Sequence, residues 1–161
     1  MARRDGGAEA GRLRRPLLAL LALLAVTLVS GALVAGTKAG LTYNSFPLMD
    51  GRLVPEGYGQ LHPFLLNWFE NIAAVQFNHR WLATLTVVAA LALSVRGLNR
   101  PLPEGPRRAL ILRAGAALLQ WLLGISALLA AVPVWLGALH QAGAILLLTA
   151  LLNCLYRCRA A

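Results

Sequence analysis

Apolar and polar positions along this chain are gathered into long blocks, with no sustained alternation of the kind a half-buried strand shows. Four apolar runs, at about 16–35, 75–95, 109–132 and 134–155, are each close to the roughly 20 residues that span a bilayer core as a helix. The first is longer than the apolar core of a cleavable signal peptide (about 7–15 residues), which predicts a retained helix. A long polar connection at 37–74 separates the first two runs and is rich in turn formers, among them Gly40, Asn44, Pro47, Pro55, Gly57 and Pro63. Its aromatic and aliphatic residues argue against disorder, and Phe64–Ile72 reads as a short amphipathic helix at the membrane interface. The later connections are short. The pattern predicts an all-α integral membrane protein, an antiparallel four-helix transmembrane bundle with a long outer loop between helices 1 and 2.

Composition sharpens this. The 161 residues are 58% hydrophobic and 13% charged, far below the charged fraction of a soluble domain. The net charge of +9 does not point to nucleic acid, because the arginines cluster at the ends of the apolar runs. Five precede the first run (Arg3, Arg4, Arg12, Arg14, Arg15), five lie from Arg96 to Arg113, and Arg157 and Arg159 close the chain. Loop 37–74 has only Lys38 and Arg52, against Asp50, Glu56 and Glu70. By the positive-inside rule both termini face the cytoplasm and the long loop faces out. The organisation is then a basic tail at 1–15, a bundle at 16–156 and a second tail at 157–161. Arg113, one turn into the third run, is expected to snorkel to the near interface.

Candidate chemistry resides in two histidines. His79 stands about four residues into its run and His140 about six, so on parallel helices they lie within about 3 Å of one depth. Spans two and four are diagonal in an up-down bundle, and both rings can face one central cavity. Small residues flank them: Ala83, Gly137, Gly143 and Ala144. Two histidines alone satisfy zinc poorly, whereas haem brings four ring nitrogens and leaves two axial positions. Two unrelated histidines bonded within the bundle, another metal, or a proton relay are the alternatives. Arg80 is a candidate partner for a haem propionate and Gln141 a candidate pocket residue, with Gln120 in span three behind them. In the first span Thr27, Gly31 and Ala35 recur every fourth residue, a face suited to close helix contact. Cys154 and Cys158, four apart on a helix, read as free thiols, and His62 as an ordinary loop residue.

Several segments together resemble the haem A synthase family of cytochrome oxidase assembly proteins. They are Gly-Ala-Leu-Val-Ala-Gly at 31–36, Tyr43-Asn44-Ser45-Phe46-Pro47-Leu48-Met49-Asp50-Gly51, Asn67-Trp68-Phe69-Glu70-Asn71, Val75-Gln76-Phe77-Asn78-His79-Arg80 and Leu139-His140-Gln141-Ala142-Gly143. The resemblance runs from about residue 20 to 156 and is to the C-terminal four-helix half of proteins with eight spans. It implies a role in oxidising a methyl of haem O to the formyl of haem A. It also implies haem b as cofactor, with His79 and His140 as the axial iron ligands. The family's substrate-bearing half, with its glutamate, has no counterpart, and three residues before His79 stands Gln76, which is neither acid nor base. The resemblance therefore implies a half-sized homologue, an oxidoreductase only together with a second four-helix half or as a homodimer. The alternative is a non-catalytic membrane haem protein for electron transfer or oxidase assembly. Asp5 and Glu9 are unlike a mitochondrial transit peptide, which favours a bacterial inner membrane over a mitochondrial one.

Overall fold

The computed structural model describes residues 2–159; Met1, Ala160 and Ala161, the extreme ends of the two expected tails, lie outside the described residues. Five α-helices follow in order: α1 Ala2–Arg12, α2 Arg14–Gly36, α3 Ile72–Leu98, α4 Glu104–Leu129 and α5 Val134–Arg157. Two 3-10 turns, Ala39–Leu41 and Phe64–Trp68, lie in the long connection, and no strand is formed among the described residues. Four helices are long and apolar enough to cross a membrane, the first running almost unbroken from α1 into α2. The expected basic tail is thus helical as far as Arg12.

The ends of these helices have local causes. Asn71 caps α3, its side-chain carbonyl accepting from the backbone N–H of Ala73 and Ala74 at 3.0 and 3.3 Å. The helix therefore begins three residues before the apolar run suggests. α4 ends at Leu129 rather than near Val132, because Ala131 and Val132 both take positive φ (56° and 52°) to turn the chain into Pro133. Pro133 then precedes the first turn of α5, where no donor is needed from it. The expected helix at Phe64–Ile72 is a five-residue 3-10 turn. The reason is Asn67, which is fully buried, donates to the carbonyls of Leu61 and Phe64, and accepts from Leu61 N and Asn71 Nδ2. These bonds curl the segment back on itself before it can propagate.

The helices pack in a ring in which α2 touches α3, α3 touches α4, α4 touches α5, and α5 closes more sparsely on α2. α3 and α5, which carry the histidines, are therefore diagonal. Along its length the bundle divides into two halves of different character. The half nearer the chain termini holds a packed apolar cluster built on Leu13, Leu17, Leu24, Leu110, Leu151 and Cys154. The half under the long loop is furnished instead with hydroxyl, amide and imidazole groups.

One charge sits inside the apolar half. Arg113 does not snorkel: it is fully buried, donating to Ala90 O at 2.8 Å and Ser94 Oγ at 2.5 Å. It stands nine positions past the start of α4, about 13 Å along the axis, and two acceptors on α3 face it. Cys154 and Cys158 are free thiols, as expected, and both are buried in the same cluster.

Candidate functional site

His79 projects from α3 toward α2. Thr27 of α2 fixes the two helices by an Oγ1···Oγ1 hydrogen bond of 2.8 Å to Thr86. One turn further along, Gly31 lies against the imidazole, where an added Cβ would stand 3.0 Å from His79 Cε1. Thr27 and Gly31 thus form the expected close face, while Ala35 beyond them is exposed. Ser30 completes the seat. Its Oγ donates to Thr27 O at 2.7 Å, and lies 2.9 Å from His79 Nδ1. In the tautomer in which Ser30 gives its proton to Thr27 O, the ring donates from Nδ1 to Ser30 Oγ and keeps the Nε2 lone pair free. This is the arrangement by which a metal-bound histidine is oriented from behind.

His140 is seated in the same way on the opposite diagonal. Its ring rests on Gly124 of α4, where a Cβ would come within 2.8 Å of Cε1. Gln120, one turn away on α4, brings its Nε2 to 3.5 Å from His140 Nε2, the outer limit of a hydrogen bond. His140 Nδ1 and Gln120 Oε1 are buried without any partner. Buried polar atoms left unsatisfied cost on the order of 1–3 kcal/mol each, so this corner of the bundle has ligand-binding capacity it does not use internally. The histidines are seven and six positions after the starts of α3 and α5.

The long loop closes the mouth above them. Gln76, three residues before His79, is buried and donates from Nε2 to Tyr43 O at 3.1 Å. Arg80 donates from Nη2 to Tyr43 O at 2.6 Å and from Nη1 to Ser45 O at 2.7 Å. The residue expected to meet a propionate thus holds the loop by two carbonyls, with Nε buried and unpartnered. Asn44 ties the same segment to α4 through Leu128 O at 2.9 Å. Phe46 dips inward to meet Trp121 edge to face at 5.9 Å, and Trp121 donates to Thr84 Oγ1. Gln141, one residue after His140, is exposed on the outside of the bundle, since one step along a helix turns a side chain about 100°. The fold does not bring it to the histidines. His62 is exposed in the loop.

Among the described residues no group of three or more His, Cys, Asp or Glu is placed to hold a metal ion. What the site offers an iron is two imidazoles on diagonal helices. Such a pair suits a metal that arrives with its equatorial ligands already in place, as haem iron does. The residues present fit that group. Ser30 escaped the sequence reading, although a hydroxyl beside a glycine within an apolar run was its signal. Gly124 lies four positions past Gln120 in the third apolar run. Asn67 and Asn71, noted as part of a motif, prove to be the scaffold of the loop.

Residues 2–152 match the family described as cytochrome oxidase assembly protein. A haem A synthase of Granulibacter bethesdensis is 48% identical over 149 residues, covering 92% of this chain and 38% of that protein. One of Paramagnetospirillum magneticum is 46% identical over 153 residues, covering 91% and 41%. One of Methylobacterium nodulans is 48% identical over 143 residues, covering 85% and 39%. The chain spans about two fifths of the length of these relatives. No solved structure matches.

Proposed function

The chain belongs to the cytochrome oxidase assembly protein family that includes the haem A synthases, and on that premise we propose that it supplies a haem b-holding four-helix bundle to haem A biosynthesis. The observation that carries the reading is the pair of imidazoles on diagonal helices, each seated on a glycine, with Ser30 Oγ 2.9 Å behind His79 Nδ1. His79 and His140 would hold the haem iron. Haem held by two histidines would supply one-electron transfer. What the chain's own residues contribute is placement: Ser30 holds one ring, Gly31 and Gly124 set how close each ring sits to its neighbouring helix, and Gln76 and Arg80 keep the loop over the mouth to limit water. Gln76 is neither acid nor base, so an acid or base for the oxidation of a haem O methyl would come from a separate four-helix partner; a homodimer would bring only a second Gln76. Both termini would face the cytoplasm of a bacterial inner membrane, following the arginine distribution.

The test is direct. The purified protein should show the spectrum of a six-coordinate low-spin haem, and the His79→Ala, His140→Ala double variant should lose it. A wild-type protein without that spectrum, or a double variant that keeps it, sinks the proposal. A second reading, a non-catalytic haem protein serving electron transfer or oxidase assembly, is favoured by the amide at Gln76. Complementation of a strain lacking haem A separates the two. Rescue only in the company of a second four-helix bundle supports the enzyme component, and failure under both conditions supports the second reading.

A further inference from the structure

At the terminal end of the bundle, remote from the histidines, α2 and α5 close on each other sparsely, and two adjoining depressions mark the gap. The outer one is a groove of about 870 Å³ edged by Arg12, Arg14, Arg15 and Arg159. The second, about 350 Å³, descends from it between the two helices and shares Arg14 and Arg159 as its lip. Its walls are aliphatic and aromatic: Leu18 and Leu21 from α2, Leu152, Leu155 and Tyr156 from α5. The spacing explains the continuity. Arg14, Leu18 and Leu21 make one stripe of α2, and Leu152, Leu155, Tyr156 and Arg159 make one stripe running into the end of α5. The helices are antiparallel, so both stripes pass from charge to hydrocarbon over about 10 Å of depth.

We propose that this paired groove is a binding site for one anionic diacyl phospholipid, with the phosphate among the arginines and an acyl chain between α2 and α5. The charge is available for a ligand. Glu9 engages Arg12 and Arg100, and no described carboxylate lies within salt-bridge distance of Arg14, Arg15 or Arg159. Arg159 is held in place by its guanidinium lying over the Tyr156 ring, 4.9 Å from the centroid, at the junction of the two depressions. Guanidinium pairs phosphate through several parallel N–H donors, and three with no described carboxylate partner at a membrane surface select an acidic headgroup. The apolar floor then selects a lipid over a soluble phosphate, which has nothing to place there. A lipid seated here would also fill the weakest seam of the helix ring.

The experiment is native mass spectrometry of the detergent-purified full chain with equimolar phosphatidylglycerol and phosphatidylcholine. One phosphatidylglycerol should remain bound, preferred on the order of ten-fold or more. Arg14→Gln with Arg159→Gln should abolish the preference. Leu152→Trp, which fills the apolar floor and leaves every charge in place, should also displace the lipid; Leu18→Phe, from the opposite wall, serves if the first variant is not monodisperse. Equal retention of both lipids, or wild-type phosphatidylglycerol occupancy in the groove-filled variants, would show diffuse surface charge and overturn the site. Displacement of the lipid by millimolar inorganic phosphate would overturn it in favour of a simple anion site. Histidine-dependent properties stay unchanged in all these variants, so the outcome is independent of the haem reading.

Discussion

Replacing Gly124 by alanine tests the seat of His140 with a single methyl group. The added Cβ would stand 2.8 Å from His140 Cε1 and 3.4 Å from both ring nitrogens. Carbon atoms are comfortable at about 3.5–4.0 Å, so the imidazole has to retreat by roughly 1 Å. Overpacking of this kind costs about 1–3 kcal/mol, while alanine in place of glycine returns about 1 kcal/mol of helix propensity. The protein without haem should therefore lose about 2 kcal/mol at most and fold normally. Iron coordination is less forgiving, since metal–ligand distances hold to about 0.2 Å. The expected result is a normal helical circular dichroism spectrum with the low-spin six-coordinate signal converted largely to a five-coordinate one. Gly115, on the same helix, has nothing within 4 Å of a built Cβ. Gly115→Ala is thus the matched control and should leave both stability and spectrum intact or slightly improved. A Gly124→Ala protein whose haem spectrum and affinity equal those of Gly115→Ala would refute the placement of the ring, its role as ligand, or both.

Four further outcomes follow from the same packing. Ser30→Ala removes the acceptor behind His79 Nδ1 and should weaken haem retention about 10–100-fold in a transfer assay to an acceptor protein, with helicity unchanged. Ser94→Ala deprives the buried Arg113 of an acceptor and should destabilise the bundle by about 1–3 kcal/mol in detergent unfolding. Arg113→Leu removes the charge altogether and should be close to neutral; a larger loss than in Ser94→Ala would contradict this account. Asn71→Ala, which uncaps α3 and releases Gly57 O and Asn67, should cost about 1–2 kcal/mol and speed proteolytic cleavage within residues 50–66.

Apolar blocks are a strong signal because the bilayer demands length and closed hydrogen bonding at once, and the four crossing helices were legible for that reason. The diagonal placement of His79 and His140 was legible too, since short connections leave an antiparallel bundle little topological freedom. Orientation about the helix axis was harder. Arg113 was read as snorkelling because a one-dimensional sequence does not reveal that Ser94 and Ala90 O face it from α3. Gln141 was grouped with His140 by adjacency, yet one helical step separates interior from exterior. The 3-10 turn at Phe64–Trp68 departs from the amphipathic pattern because buried Asn67 bonds the loop backbone locally, a competition that periodicity does not register. Arg80 has the charge expected for a propionate partner, and its geometry adds a second task, since its donors are aimed at main-chain carbonyls.

That aim has an implication for which parts of the outer surface are free to change. Gln76, Arg80, Asn44 and Asn71 all hold the long loop through peptide oxygens, at Tyr43, Ser45, Leu128, Gly57 and their neighbours. Every residue type carries such an oxygen, so the fastenings are blind to the side chains they secure. Leu41, Leu48, Leu53 and Val54, all exposed, are therefore open to wholesale replacement without unseating the loop. The outer face can be redecorated for a new partner, a label or an epitope, while the turn of α3 that carries His79 keeps its grip on the backbone beneath.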